Sequence, residues 1–502
     1  MKFILKRFFF LTLMLLTAVI LTSCGDSESV GPNIDFGDEG DLVRDEEGNI
    51  VYSNVKLKVW SVTTGDDAAV QDQIVSEFNK LYKGMIEVEV VHHSRYDMEQ
   101  LLGNAMNFDK ESAPDMLFTH GMRATEYASN NWLYSLDKIF EKAGTPFDKT
   151  DYAESLIQSV TINNEAYGVP IDCHSVMMEV RKDILDKNNL PIPTNYQELV
   201  EVCEAAIEKA RNGQLWIRGE NSMGVSAVEW RLASTAEEYT PFPISYGDMW
   251  VHEFFGYTAA IQNGGVVVDG TTQYPGWNTA ETAKGLQVVR DWVFPTSTSL
   301  NKNALSKNYG SSYDVGDEPF RNGSAIFKLQ GPWAYQKDLD EFDRSLGKDG
   351  GSANITTRNI SNMLALDSSK EYASKIKGEG HALMLLSTVT SQTKACASTV
   401  FMDYMAYFSG LEWAKRGHIP AVQSVATSSD YVNSEEYKQY IKYWGQPSDY
   451  VVVQPTKYFS YVDTYFKNSL QKTMNKDYQS QAISSILQKE YDDCLAYIEL
   501  YS

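Results

Sequence analysis

The apolar positions of this chain alternate between two spacings. From Lys56 the run KLKVW has period two, and Asp67 to Leu81 then carries Val70, Ile74, Val75, Phe78 and Leu81 at helical spacing. Met85 to Val91 (MIEVEVV) reads as a second strand, Asp97 to Phe108 as a helix, and Asp115 to Phe118 as a third strand after Ala113-Pro114. The alternation resumes after Gly168-Val169-Pro170. Helices are predicted over Asn195 to Lys209, Thr279 to Val293 and Ser391 to Phe408, the last introduced by strand residues Ala382 to Leu386. Strands alternating with helices imply βαβ units and a mainly parallel sheet. The turn Thr63-Thr64-Gly65-Asp66 falls at the carboxyl end of the first strand, the edge where open α/β sheets bind ligands. No short-period repeat interrupts the pattern, so two α/β lobes are the natural parse.

The amino-terminal segment follows a different pattern. Lys2, Lys6 and Arg7 precede an uncharged run from Phe8 to Leu21, 14 residues long, which is short for a membrane span and suited to a signal h-region. Leu21-Thr22-Ser23-Cys24 reads as the lipobox of a bacterial lipoprotein, with cleavage before Cys24 and lipid on its sulfur. Residues 25–49 are rich in Gly, Asp, Glu, Ser and Asn and too poor in large apolar residues to fold alone. They predict a flexible acidic tether between lipid and domain. The location implied is extracytoplasmic and membrane-anchored, at a cell surface or in a periplasm.

Loss of residues 1–23 leaves 479 of 502 and, with three basic residues gone, takes the net charge from −23 to −26. A surface this acidic excludes nucleic acid and polyanions as partners. Cys173, Cys203, Cys396 and Cys494 are widely spaced with no CxxC pair, which points to core thiols rather than a disulfide framework or zinc ribbon. Aromatic residues make up 12%, including 10 Trp and 30 Tyr, enough to furnish both a core and a surface for a flat ligand.

Several segments, in order, resemble the sugar-binding, MalE-like family of extracellular solute-binding proteins, the capture subunits of ATP-driven importers. They are KLKVW; APDMLF with Tyr127-Ala128 and Trp132-Leu133; EAYGVPIDCHSVMMEVRKDIL; LPIPTNYQELVEVCEAA; PFRNGSAIFKLQGPWAY; GEGHALMLLS; and RGHIPAVQSV. The resemblance implies a two-lobed periplasmic-binding-protein-like α/β fold with a mainly parallel sheet in each lobe. Hinge crossings would fall near Pro170, Gly380 and Pro420-Ala421. It divides the chain into signal (1–23), tether (24–50), lobe 1 (51–169 plus 381–420) and lobe 2 (170–380 plus 421–502).

A sugar presents an apolar ring face and a rim of hydroxyls, so its site needs aromatic platforms and planar polar groups. Trp333, in Gly331-Pro332-Trp333, matches the tryptophan that the family stacks on sugar rings. Trp60 and Asp66 flank the first strand-to-helix turn, with stacking and burial both open for Trp60. Arg123 matches an arginine of the maltose-binding pattern, whose guanidinium fork suits vicinal hydroxyls. Thr119 and Met122 depart from that pattern, which speaks against maltose itself. Asp172 and His174 follow the first crossing, and Trp250, His252, Phe254 and Phe255 form an aromatic-rich stretch; each residue is contact or core. Trp277 and Trp292 read as core.

His120, His174, His252 and His381 all fall in segments expected at the cleft. Three or four imidazoles can hold zinc, but no local HxxxH or HxxE spacing supports it, and hydrogen bonding of solute hydroxyls is the more economical reading. No metal and no cofactor are therefore assigned. Nucleophile-elbow, P-loop and dinucleotide motifs are missing from the sequence. The expectation is a monomeric, lipid-anchored, non-enzymatic binding protein that takes an oligosaccharide or glycoside to the permease of an ABC importer. The rivals are an exported glycoside hydrolase, which would need two opposed carboxylates, and a lipoprotein binding a metal or another solute.

Overall fold

A computed structural model describes residues 31–32, 34, 40–219, 229–245, 252–307, 315–346, 353–414 and 417–501. The signal segment, Cys24, Trp250 and the side chain of His252 lie outside the described residues.

Strand β1 (Val55–Ser61) has the expected alternation at its start and becomes fully buried towards its end, as a central strand covered on both faces must. It pairs in parallel with β2 (Ile86–His92) on one side and β3 (Met116–His120) on the other. Helix α1 (Gly65–Leu81) connects β1 to β2 and buries Val70, Ile74, Val75 and Phe78 of the stripe read from sequence, while Leu81, the last residue of the helix, is exposed. Helix α2 (Arg95–Phe108) starts at Ser94, whose hydroxyl accepts from the Asp97 amide, and leads back across β1 to β3. The order β2-β1-β3 reverses direction at β1. Its crevice at the carboxyl ends of β1 and β3 is the topological switch point where such sheets bind ligands.

Two later segments complete this sheet. β9 (His381–Leu385) runs antiparallel beside β3, in a register that sets His381 opposite His120, and β4 (Val169–Pro170) pairs with its other edge.

A second sheet has β6 (Met177–Arg181) at its centre, flanked by β7 (Phe327–Gln330) and β8 (Ile355–Asn359). The two-lobed α/β class expected from sequence holds, but in this lobe both pairings are antiparallel rather than mainly parallel. The reason is topological. β7, helix α5 (Pro332–Leu346) and β8 form a βαβ unit whose two strands are parallel to each other, and β6 is inserted between them running the opposite way. Helix α3 (Tyr196–Arg211), capped by Asn195, contributes to the surrounding core. Helices α4 (Ala280–Val293, capped by Thr279), α7 (Phe459–Met474) and α8 (Ile483–Tyr501) form a helical layer around Trp277, Phe466, Leu470 and Leu487. Trp277 and Trp292 are fully buried, and so are Cys173, Cys203, Cys396 and Cys494, all as free thiols. The helix expected at 391–408 is α6 (Gln392–Asp403), continued by a π-helical turn over Tyr404–Phe408.

Three chain passages run side by side between the sheets. β5 (Asp172–Cys173) pairs with β10 (Ile419–Pro420), and His174 bridges Glu379. The packing is so close that a Cβ on Gly380 would lie 2.3 Å from the Asp172 carbonyl oxygen, so only glycine fits there. The segments around Pro170, Gly380 and Pro420-Ala421, where crossings were expected, thus lie against one another.

Of the expected tether, residues 40–50 are docked rather than free. Asp41 accepts hydrogen bonds from Ser391 and from the Thr393 amide at the start of α6, Leu42 is buried, and Arg44 bridges Ile50. Gly31 is held as well, its amide donating to the Tyr167 hydroxyl at 3.1 Å.

Candidate functional site

At the switch point the crossings meet the turn after β1. A cavity of about 230 Å³ is lined by Val62, Thr63, Thr64, Asp67, Arg95, His120, His174, Phe254, Trp333, Glu379, His381 and His418. Next to it a polar groove of about 360 Å³ is lined by Asp66, Pro332, Trp333, Gln336, Lys337, Asp340, Arg344 and Tyr440. Trp333 borders both. Its ring folds back over Gly331, where an added Cβ would come within 2.1 Å of the indole, so Gly331 sets the position of the platform.

The wall beneath the cavity is organised by Asp172, whose carboxylate is fully buried. Oδ1 accepts from the His381 backbone amide at 3.0 Å and faces His174 Nδ1 at 3.1 Å. Oδ2 accepts from Trp413 Nε1 and faces His381 Nδ1 at 2.8 Å. Four donors fill the roughly four lone-pair positions of a carboxylate. Burial alone would raise the Asp172 pKa, yet the charges and hydrogen bonds of His381, His418 and His174 hold it well below the usual range. Asp172 therefore fixes the two imidazoles and cannot itself reach a solute.

His418 Nδ1 lies 3.3 Å from Asp172 Oδ2 without an aligned hydrogen bond, while its Nε2 meets Asp67 Oδ2 at 3.1 Å. Burial lowers its pKa, but Asp67 and Asp172 outweigh this and the net shift is upward. His174 is pushed down to about 4 and His120 well below 6.5, chiefly by burial. Both imidazoles are neutral at neutral pH. Expected from this is a split titration: in histidine-selective NMR, His418 has its midpoint above 6.5 and His174 near 4. A common midpoint near 6.5 would contradict it. The stability signs differ as well. The contribution of His418 is complete below 6.5 and is lost as pH rises through its raised folded value, whereas those of His120 and His174 are present above 6.5 and are lost as pH falls through their lowered folded values, about 4 for His174.

A second charged cluster ties the cavity to the helical layer. Glu253, on a π-helical turn over His252–Gly256, pairs with Arg95 at 3.1 Å, Lys467 at 2.8 Å and Lys377 at 3.4 Å. Burial would raise its pKa, but these three cations keep it well below 4.5. Lys377 also contacts Glu379 Oε1, while Glu379 Oε2 lies 3.1 Å from His120 Nε2. Burial, then the neighbouring charge of Glu253, raises Glu379 to about 7. Arg95 opens α2 and Glu253 lies 158 positions further along the chain, so the pair ties α2 to the helical layer beside the cavity.

The sequence-derived residues divide sharply. His120, His174, His381 and Trp333 line the cavity, Asp66 lines the adjoining groove, and Asp172 supports from behind. Trp60 does not line either space; it is buried in the first lobe with His93 against its ring at 5.2 Å. Thr119 is buried within β3, where strand alternation turns it to the face opposite His120. Arg123 is turned away from both spaces: its two terminal nitrogens are held by Glu99 at 2.7 Å, Glu126 at 3.1 Å and Ser460 at 2.6 Å. Phe255 packs in the core on Trp292, and its neighbour Phe254 faces the cavity instead. Thr63 and Thr64, in the turn expected at the ligand edge, also line the cavity, whereas sequence reasoning missed Asp67, Arg95, Glu379 and His418. Glu379 and His418 sit beside Gly380 and Pro420, so adjacency to the predicted crossings was the signal available.

A cavity at the switch point of one sheet, beside three chain passages that run between it and the second sheet, is the geometry of a cleft-type binding protein. The chain belongs to the family of bacterial extracellular solute-binding proteins, whose description it matches over residues 73–441. It is thus an extracytoplasmic binding protein. In fold it is similar to the GacH receptor of Streptomyces glaucescens, solved unliganded and with acarbose (16% identity, TM-score 0.66, covering 88% of this chain and 98% of that one). It is also similar to maltose-bound MalE3 of T. maritima (17%, 0.63, 88% and 100%) and to the sugar-binding protein MalE of Xanthomonas citri (15%, 0.65, 89% and 99%).

Proposed function

We propose that this protein captures a carbohydrate, an oligosaccharide or glycoside, in the cleft and passes it to the permease subunits of an ABC importer. The observation that carries the reading is Trp333, an aromatic platform between a cavity rich in imidazole and a groove edged by Asp66, Gln336, Asp340 and Arg344. Planar polar groups around one indole suit a ring with polar edges. The acarbose and maltose complexes of similar folds support the same class of ligand. The cavity is smaller than the usual range for drug-sized ligands, so an oligosaccharide would extend along the groove.

In this reading residues 51–169 with 381–420 form one lobe and 170–380 with 421–502 the other. His120, His174, His381, Asp66 and Trp333 contact solute. Cys24 carries the lipid, and the protein works as a monomer without chemistry of its own. Of the carboxylates lining the cavity, Asp67 faces His418 and Glu379 is held by Lys377 and His120, partners that favour a fixed binding surface over a hydrolytic pair.

A thermal-shift screen of mono- and oligosaccharides tests the proposal, because a ligand bound only by the folded state raises the melting temperature. A shift with sugars is expected; a shift only with amino acids or polyamines would overturn it. Trp333→Ala should weaken sugar binding by about 1–3 kcal/mol, from the aromatic contact and buried area lost. Unchanged affinity by calorimetry would remove Trp333 from the site.

A further inference from the structure

We infer that the cleft holds a divalent first-row transition metal, zinc being the natural probe, on His120 Nε2, His174 Nε2 and Glu379 Oε2. The inference rests on the reading of this cavity as the binding cleft and goes beyond the choice of solute. The donor atoms of these three residues lie within 4.8 Å of one another. His120 Nε2 is 3.1 Å and His174 Nε2 3.9 Å from Glu379 Oε2. Zinc bonds of about 2.0–2.2 Å in a tetrahedron place ligand atoms roughly 3.4 Å apart, so small side-chain shifts complete the set. Two imidazoles and one carboxylate are a donor set that suits zinc and its neighbours.

A supporting layer is already in place. Asp172 engages His174 through Nδ1 at 3.1 Å, which leaves Nε2 as the nitrogen turned to the other ligands. A carboxylate that orients a ligating imidazole in this way is a recurrent feature of metal sites. Lys377 contacts Glu379 Oε1 and so leaves Oε2 as a single donor. Buried His120 Nδ1 has no hydrogen-bond partner, so no neighbour locks that ring in its present tautomer. A neighbouring set, Asp172, His174, His381 and His418, is equally close, but the oxygens of Asp172 are already filled by donors. The fourth position of the proposed site faces the cavity, where an oxygen of a solute would meet the metal.

The test uses the purified full chain stripped with a chelator and titrated with zinc chloride alone, followed by calorimetry and thermal melting. One zinc per chain and a raised melting temperature are expected. His120→Gln and His174→Ala should each lower zinc affinity at least about 100-fold, while His92→Ala, at the site of the partly exposed His92–Asp72 pair, leaves it unchanged. Cobalt substitution should give the intense visible bands of a tetrahedral centre, lost in His120→Gln. His120→Gln is the variant to rely on if His174→Ala fails to fold, since His174 is tied to Asp172 and His120 is not. No saturable zinc binding, or affinity retained in His120→Gln, overturns the site. A sugar shift measured in excess chelator separates the two readings: if it persists while zinc fails, the metal inference falls and carbohydrate capture stands.

Discussion

Asp172→Ala is expected to destabilise the protein by about 3–5 kcal/mol, the range for removing one partner from a buried charged network. The cause is not the few atoms deleted. Without the carboxylate, His174 Nδ1, His381 Nδ1, the His381 amide and Trp413 Nε1 all face a buried space with no acceptor. Because Asp172 lies in β5, paired to β10 between the two sheets, the damage also reaches the hinge passages. A fall of roughly 10 °C in melting temperature follows from the usual 2–4 °C per kcal/mol for domains of this size. Asp172→Asn keeps the shape and should recover part of the loss while still weakening solute binding. A melting temperature within a degree or two of the parent for Asp172→Ala, measured by circular dichroism, would refute this account.

The second large effect is expected from Glu253→Gln. Its carboxylate neutralises the buried Lys377 and Lys467 and the partly exposed Arg95, and a neutral amide leaves the three cations facing one another. Lys467 keeps Asp463 at 2.8 Å and Lys377 keeps Glu379, so the loss is partial, again about 3–5 kcal/mol. A specific readout distinguishes this from simple loss of packing. Glu379 is raised to about 7 by burial and then by Glu253, so removing that like charge should move its titration downward. Since Arg95 lines the cavity, the variant should also bind solute more weakly. Carboxyl-detected NMR showing Glu379 unmoved would exclude the proposed coupling. The sign with pH is definite for Glu253 itself: its depressed pKa contributes stability above 4.5, lost as pH falls through the folded value.

Trp333 and the histidines show how far reading from residues could go. Trp333 was legible because Gly331-Pro332-Trp333 is a local pattern, and a local pattern fixes a local geometry. His120, His174 and His381 were legible as a group because each falls at a strand end in a segment expected at the cleft. His418 carries the same kind of signal beside Pro420, but a lone histidine in a loop says nothing about which carboxylate it will meet. Trp60 and Arg123 illustrate the opposite failure. Both had the right chemistry at the right distance along the chain, and tertiary packing consumed both, one against His93 and the other among Glu99, Glu126 and Ser460.

The sequence by itself determined the elements and their kind. Period-two and helical spacings are properties of neighbouring residues, and so are the caps at Ser94, Asn195 and Thr279 and the breaks at Pro170 and Gly380. It also determined the acidic surface and the buried thiols, which follow from composition and spacing. Only the tertiary structure decided which faces of those elements share a cavity. Asp172 meets His381 across 209 positions and Arg95 meets Glu253 across 158, and no local rule links them. The antiparallel insertion of β6 between β7 and β8 belongs to the same class, because strand direction in a sheet is set by where the chain returns, not by what the strand contains. Burial then gives these residues their chemistry, holding His174 neutral and Asp172 charged only a few ångströms apart, a difference that exists only once water has been excluded.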